Sequence, residues 1–248
     1  MSSAREHYDR VLAEHYSRLL GDFEAKVAEQ QTLLEGLGIK AGRPDAIAVD
    51  LGCGSGVQSI ALARLGFRVL GIDFSDRLLA ELRERARGLP VEGLSGDIRD
   101  VETLAPTGAD VVVCMGDTLS HLEREADLPD LFAGVATRLV GGGRLVLSFR
   151  DLGSELHDLD RFLPLYASDD VIMACMLEYE AATVKVHDLV WVREREGWTF
   201  RKGAYRKLRL TADAVTAYLA TAGFTVERHG APGGMVALRG AVADRPAA

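Results

Sequence analysis

Apolar positions near the start of the chain follow a helical period. Hydrophobic side chains recur every three or four residues over 8–37, which predicts two amphipathic helices that are broken near Gly21-Asp22. Asp22 has a side chain suited to an N-cap, and Gly42-Arg43-Pro44 ends the segment. We therefore expect a helical N-terminal cap over residues 1–42.

Short apolar runs alternate with helical segments over residues 43–150. The predicted strands are 46–50, 68–72, 91–95, 110–115 and 144–149. Helical patterns over 59–65, 77–87 and 128–139 separate them, and the glycines at 141–143 predict a turn. Such alternation predicts a parallel sheet with helices on both faces. The runs at 110–115 and 144–149 are as apolar as strands that are buried on both sides.

The pattern changes again after residue 150. Three long segments over 171–210 are typical of antiparallel strands, with a turn at Glu196-Gly197, and we expect residues 151–210 to form an insert that acts as a substrate lid. A helix over 211–222 with Thr211 as its N-cap, and strands over 224–229 and 235–239, return to the core. The expected fold is α/β and Rossmann-like. It is a single domain over residues 1–240 with a mostly parallel seven-stranded sheet, and 241–248 is a frayed tail.

Composition narrows the class of partner. A net charge of -8 disfavours nucleic acid, because binding to it depends on neutralising phosphates. The chain has no apolar stretch of the ~20 residues that a membrane span needs, and its charged N-terminus does not resemble a signal peptide. The three cysteines have neither zinc nor CxxC spacing. We expect a cytoplasmic protein that binds a small molecule and no metal, nucleic acid or membrane; a homo-oligomer stays open.

A glycine-rich segment, VDLGCGSG, follows the first predicted strand. Gly52, Gly54 and Gly56 allow a backbone to approach a ligand closely. A nicotinamide dinucleotide site requires G-x-G-x-x-G, and neither reading frame supplies the third glycine. Asp50 would repel a pyrophosphate and would suit a ligand that carries an ammonium and a sulfonium group.

Acidic residues and a glycine follow the next predicted strands. Asp73 can accept hydrogen bonds from both ribose hydroxyls. Asp97 can accept one from an adenine amine while Ile98 packs on the ring, and Met115-Gly116 ends a strand at the open crevice. A turn explains each signal alone, but their succession at the carboxyl ends of strands predicts a nucleoside-like ligand.

These residues together resemble the class I, S-adenosylmethionine (SAM)-dependent methyltransferases over residues 46–150. VDLGCGSG is similar to the first motif of that family, IDFS at 72–75 to its acidic motif, and GDI at 96–98 to its adenine motif. The resemblance implies SAM as the cofactor, with the three glycines around the methionine moiety and Asp73 on the ribose. Phe74 belongs to the same acidic motif, and Asp97-Ile98 would contact the adenine.

Two later segments resemble the glycine and sarcosine N-methyltransferases: CMGDTLSHL at 114–122 and SFRD at 148–151. Asp117 stands where that family has Asn. The resemblance implies that His121 lies near the active centre, that Arg150 binds a substrate carboxylate, and that Lys26 pairs with the SAM carboxylate.

Structural alternatives remain open for these side chains. Arg150 could form a salt bridge, for instance with Asp151, and His121 could be structural. Tyr16 and Tyr205 could bind substrate from a lid or belong to the core.

The expected reaction is an in-line transfer of a methyl group from SAM to an amine or hydroxyl of a small polar metabolite. An amine reacts in its neutral form, whereas a hydroxyl needs a base, for which His121 is the best candidate. His121, Arg150 and Asp117 are the candidate catalytic residues. The alternatives are a nicotinamide-dependent oxidoreductase and a non-catalytic SAM-binding protein.

Overall fold

A computed structural model describes residues 21–243 of the chain. They divide into two units: a larger one from Asp22 to Asp151 and from Leu210 onwards, and a smaller one formed by Leu152–Arg209. Among these residues, no helix combines the length and the apolar character that crossing a membrane requires.

The larger unit contains a seven-stranded sheet in the order β10-β11-β5-β4-β1-β2-β3. Its strands are β1 (Ile47–Leu51), β2 (Arg68–Asp73), β3 (Val91–Ser95), β4 (Ala109–Cys114), β5 (Leu139–Phe149), β10 (Phe224–Ala231) and β11 (Met235–Val242). The first five strands pair in parallel, and β11 pairs antiparallel to both β5 and β10. The predicted α/β class and mostly parallel seven-stranded sheet are confirmed.

Helices connect these strands. They are α1 (Phe23–Gly36), α2 (Val57–Arg64), α3 (Asp76–Arg85), α4 (Val101–Leu104), α5 (Leu128–Arg138) and α6 (Ala212–Thr221). Short 3₁₀ turns cover Ile98–Asp100, Thr118–His121, Glu125–Asp127 and Pro232–Gly234. The predicted caps are confirmed, since Asp22 accepts the Ala25 N–H at 3.1 Å and Thr211 accepts the Ala214 N–H at 3.1 Å. The first helix predicted in the N-terminal cap lies outside the described residues.

The strand order creates a switch point at β1. The chain goes from β1 to β2 on one side and, after β3, returns to β4 on the other side of β1. Connections that leave a strand in opposite directions open a crevice at its carboxyl end, where α/β proteins of this kind bind ligands. The buried apolar residues of β1 and β4, such as Val49 and Val112, form the core of the sheet below that edge.

Two details of the sheet differ from the sequence predictions. The glycines at 141–143 form a bulge inside β5 rather than a turn before it, because Ala109 pairs with Leu139 while Val111 already pairs with Arg144. Strand β11 also continues to Val242, so it takes in the first two residues of the segment that we expected to be a tail.

The smaller unit is a four-stranded antiparallel sheet in the order β6-β7-β8-β9. Its strands are β6 (Phe162–Ala167), β7 (Val171–Tyr179), β8 (Thr183–Glu194) and β9 (Gly197–Leu208), and a 3₁₀ turn over Asp158–Arg161 precedes them. Glu194 pairs with Gly197, so the turn is Arg195-Glu196, one residue earlier than predicted. Strand β6 was not predicted from the sequence; it is an edge strand that contains Pro164.

Candidate functional site

The loop between β1 and α2 lies at the switch point and needs glycine. The Gly52 N–H donates to the Ile72 carbonyl at 2.8 Å, which ties the loop to β2. Gly52 and Gly56 have φ angles of +73° and +100°. A Cβ atom at either position would lie 2.2 Å from a neighbouring side chain, Thr118 at Gly52 and Leu82 at Gly56. The loop is therefore packed against the segment that follows β4, at the edge where a ligand is expected.

Asp50 is enclosed within β1. Its side chain accepts a hydrogen bond from the Ser59 hydroxyl at 2.6 Å, and the residue is 1% exposed. Burial raises the pKa of Asp50 to about 7, against the lowering effect of the Ser59 hydrogen bond. The role of Asp50 at the cofactor stays a prediction.

Asp73 ends β2 and joins the glycine loop to α3. Its Oδ2 accepts the Gly54 N–H at 2.9 Å, and its Oδ1 accepts the Ser75 N–H at 2.8 Å. Burial raises the pKa of Asp73, while these N–H groups lower it. The Phe74 N–H bonds to the same carboxylate, and because a carboxylate has about four acceptor positions, about one is left to accept a hydroxyl group.

The loop after β3 reaches the same edge. The Gly96 N–H donates to the Asp73 carbonyl at 3.0 Å. Asp97 caps the turn Ile98–Asp100, since its Oδ1 accepts the Arg99 N–H at 2.9 Å. Ile98 and Phe74 are half-buried. The structure thus brings the predicted ribose and adenine residues to adjacent strand ends.

The segment after β4 is held by the end of β5. The Gly116 N–H donates to the Ser148 hydroxyl at 3.0 Å, and the Thr118 hydroxyl donates to the carbonyl of buried Met115 at 2.9 Å. Gly116 has a φ of +72°, and no atom of residues 21–243 lies within 4 Å of where a Cβ would be. Its backbone is therefore open on that side within the described residues.

Asp117 and Arg150 form an ion pair in this segment. Asp117 has a φ of +72°, a left-handed conformation that Asp and Asn tolerate. Its Oδ1 accepts the Arg150 backbone N–H at 2.8 Å and its Oδ2 accepts Nη1 at 3.2 Å. The Asp117 side chain is 10% exposed and that of Arg150 is 55% exposed. Asp117 thus holds Arg150 while most of the guanidinium faces outwards.

The structural alternative for Arg150 was a salt bridge, for instance with Asp151, and the structure shows one with Asp117. The Asp151 carboxylate accepts the Ala212 N–H at 2.9 Å at the start of α6, and it lies 3.7 Å from Arg228. Arg150 and Asp151 are adjacent in the sequence, but the first bonds to the segment after β4 and the second to the start of α6.

Comparison with known proteins decides the class of this site. Residues 48–143 match a protein family described as a methyltransferase domain. This part of the chain is therefore similar to methyltransferase domains. It contains the glycine loop, Asp73, Asp97 and the segment after β4, so the sequence resemblance to class I methyltransferases is confirmed.

Two curated relatives that match part of this chain are named as methyltransferases. Glycine N-methyltransferase from Mus musculus is 30% identical over 159 residues, which cover 59% of this chain and 54% of the relative. A cypemycin N-terminal methyltransferase from Streptomyces sp. is 37% identical over 103 residues, 42% of this chain and 41% of the relative. The chain therefore spans about half the length, or less, of these curated relatives.

One solved structure is a SAM-bound amino pentose methyltransferase from Micromonospora echinaspora. It superposes with a TM-score of 0.75 and 20% identity over 93% of this chain and 96% of that one. At this identity the match establishes the fold, which is that of Rossmann-like methyltransferases.

The other predicted residues are Lys26, His121, Tyr205 and Tyr16. Lys26 on α1 forms an ion pair with Glu29 at 3.0 Å. His121 ends the turn Thr118–His121 and is half-buried. Tyr205 is 7% exposed and packs in the apolar cluster of the smaller unit, which favours its reading as a core residue. Tyr16 lies outside the described residues. Their roles stay predictions.

Sequence reasoning missed three side chains of the larger unit. Thr118 and Ser148 fall within the segments that carried the family resemblance, so their positions were visible but their contacts were not. Ser59 is the one polar buried residue on the apolar face of α2, and that contrast could have marked it as a hydrogen-bond partner.

Proposed function

We propose that this chain is a SAM-dependent methyltransferase that methylates an amine of a small polar metabolite. One observation carries the proposal: the glycine loop, the Asp73 carboxylate and the Thr118 segment meet at the switch point of the sheet. Two relatives support an amine acceptor, since their names are glycine N-methyltransferase and cypemycin N-terminal methyltransferase.

The residues present fit SAM. Backbone near the end of β4 is open, because a Cβ at Gly116 would meet no atom of residues 21–243 within 4 Å, while one at Gly54, near the end of β1, would make an ordinary contact with Leu78 at 3.9 Å. Asp73 supplies an acceptor for hydroxyls beside that backbone. Val57 begins α2 and is buried where a nicotinamide fingerprint requires glycine, which disfavours the oxidoreductase alternative.

SAM supplies a methyl group on a cationic sulfonium. The chain's own task is to orient the two reactants and to exclude water, since a neutral amine attacks without a base. His121 would take the proton if the acceptor were a hydroxyl. The alternative of a SAM-binding protein without transfer is tested by the assay below.

The Asp117–Arg150 pair suggests which amine. If a substrate carboxylate bound Arg150, it would share that cation with the largely buried carboxylate of Asp117, at 3.2 Å from Nη1. Two carboxylates around one cation repel each other, whereas a polar amine without a carboxylate finds donors on Arg150 and an acceptor on Asp117. We therefore expect the acceptor to be an uncharged or basic polar amine rather than an amino acid.

Methyl transfer from labelled SAM to a panel of acceptors tests this. Wild-type protein should methylate an amino sugar such as glucosamine in preference to glycine. Asp117→Asn removes the competing carboxylate, so its kcat/KM for glycine should rise about tenfold, which corresponds to ~1.4 kcal/mol. Arg150→Ala in that background should abolish the gain.

Preference of the wild-type protein for glycine, or the same low activity towards glycine in Asp117→Asn, would contradict the assignment of the acceptor. SAM binding without transfer to any amine or hydroxyl of the panel would favour the non-catalytic alternative.

A further inference from the structure

Arg99 connects the loop after β3 with the loop after β4. Its Nε lies 3.0 Å from Asp97 Oδ1, and its Nη2 lies 2.6 Å from Asp97 Oδ2, so the guanidinium forks onto the carboxylate. Its Nη1 lies 3.5 Å from Asp127 Oδ2. Asp127 Oδ1 in turn accepts from Arg124 Nη2 at 2.7 Å. Charges therefore alternate along Asp97, Arg99, Asp127 and Arg124.

Asp127 anchors this chain of charges. Its side chain is 9% exposed, and its Oδ2 has no hydrogen-bond partner within residues 21–243. Because a buried carboxylate oxygen is costly without compensation, the approach of Arg99 stabilises Asp127 as well as Asp97. The guanidinium is thus held from two sides. Hydrogen bonding to Asp97 also raises the pKa of Arg99, so its charge persists at any working pH.

The opposite end of the chain is accessible. The Asp97 side chain is 41% exposed, and its oxygens accept from the backbone N–H, the Nε and the Nη2 of Arg99, which leaves about one of the four acceptor positions of the carboxylate for a ligand. The side chain of an unrestrained aspartate turns broadly about its terminal torsion, and the fork removes that freedom. The four charges also sum to zero, which suits a neutral group as the ligand.

We infer that Arg99 is a positioning residue that fixes the Asp97 carboxylate to accept from the exocyclic amine of the cofactor's purine, and so sets selectivity for the base. The inference rests on the proposed function, because it assumes that the adenine end of SAM lies at Asp97. A carboxylate accepts only, so it favours the 6-amino group of adenine and repels the 6-oxo group of hypoxanthine.

Calorimetry with two cofactor analogues tests the inference. S-adenosylhomocysteine and S-inosylhomocysteine differ at position 6 of the base, and the wild-type protein should prefer the first by at least about tenfold, the value of one charge-assisted hydrogen bond. Arg99→Gln should reduce that ratio about tenfold, mostly by weakening the adenosyl analogue. Arg99→Lys should give an intermediate ratio, since an ammonium does not fork.

A matched control lies at the opposite, amino ends of the parallel strands. Arg43 forks onto Asp110 at 3.2 and 2.9 Å near the amino end of β4. Arg43→Gln removes the same kind of pair and should leave the ratio at its wild-type value.

A wild-type ratio in Arg99→Gln, or in Arg99→Lys if the glutamine variant does not fold, would overturn the inference. An equal reduction in the preference for S-adenosylhomocysteine over S-inosylhomocysteine in Arg43→Gln would also overturn it. A wild-type protein that binds neither analogue would instead reject the proposed function, and the inference with it.

Discussion

The burial of Asp50 determines how readily its side chain gives up its proton. Asp50 lies in the central strand of the sheet, is 1% exposed, and receives a single hydroxyl hydrogen bond from Ser59. The protonated form is favoured, because burial penalises the charged form and the nearby charge of Asp73 adds to that effect. The stability of the fold should therefore depend on pH through this residue.

Asp50→Asn reveals that dependence. A carboxyl whose pKa rises from 3.8 to about 7 on folding contributes stability that is full below pH 3.8 and is lost as pH rises to about 7. The free energy of unfolding of the variant, relative to wild type, should thus increase between pH 4 and 7 by at most about 4 kcal/mol and then level off. Urea titrations at pH 5, 6, 7 and 8 measure it.

Ser59→Ala provides the control for that series. It removes the hydrogen bond that lowers the pKa of Asp50, so the loss of stability should extend to higher pH. A difference between Asp50→Asn and wild type that stays constant from pH 5 to 8 would contradict the account.

For single residues, the sequence predicted which positions lie at the site better than it predicted which side chains contact each other. Asp73, Asp97 and Gly116 follow successive strands, and parallel strands bring their carboxyl ends to one edge, so their proximity was predictable. The pairing of Asp117 with Arg150 joins residues 33 positions apart. It depends on the left-handed backbone of Asp117, which no hydrophobic pattern reports.

The loop between β1 and α2 shows how two elements constrain each other. Gly52 is restricted twice, by its φ of +73° and by Thr118 from the segment after β4. Gly88 has a similar φ of +81° but no atom within 4 Å of where its Cβ would lie. A substitution at Gly88 therefore tests backbone strain alone, whereas a substitution at Gly52 tests backbone strain together with steric overlap.

Gly52→Ala should therefore destabilise the protein more than Gly88→Ala. The backbone term is about 1–2 kcal/mol in both variants, and overlap with Thr118 adds about 1–3 kcal/mol at Gly52 alone. Thr118→Ala in the Gly52→Ala background should recover part of the second term. Urea-induced unfolding measures all four proteins, and equal losses at Gly52 and Gly88 would contradict the packing of Thr118 on the loop.

Elements were predictable where their pattern was strong. The apolar runs of β1, β2 and β4 and the caps Asp22 and Thr211 placed strands and helices to within a few residues. The bulge at 141–143 was not predictable, because glycines permit a turn and a bulge equally well and the register of β4 decides between them. Strand β6 carries a proline and little periodicity, so its edge position came only from the structure.

At the scale of the whole molecule, the class of the larger unit followed from the alternation of strands and helices, since that order leaves few topologies. The sequence predicted the antiparallel sheet of the smaller unit, but it did not predict the function of that unit. Its strands carry no motif of the methyltransferase domain, and substrate identity depends on such variable segments. The lid role of residues 151–210 stays a prediction.

The central claim is that the crevice at the carboxyl ends of β1 and β4 binds SAM. Calorimetry with S-adenosylhomocysteine and with NAD⁺ tests it most directly. Wild-type protein should bind S-adenosylhomocysteine with a micromolar Kd and should not bind NAD⁺. Asp73→Ala should weaken that binding by at least about tenfold, through loss of one or two charge-assisted hydrogen bonds to the ribose. Binding of NAD⁺ in place of S-adenosylhomocysteine, or unchanged affinity in a folded Asp73→Ala protein, would contradict the account.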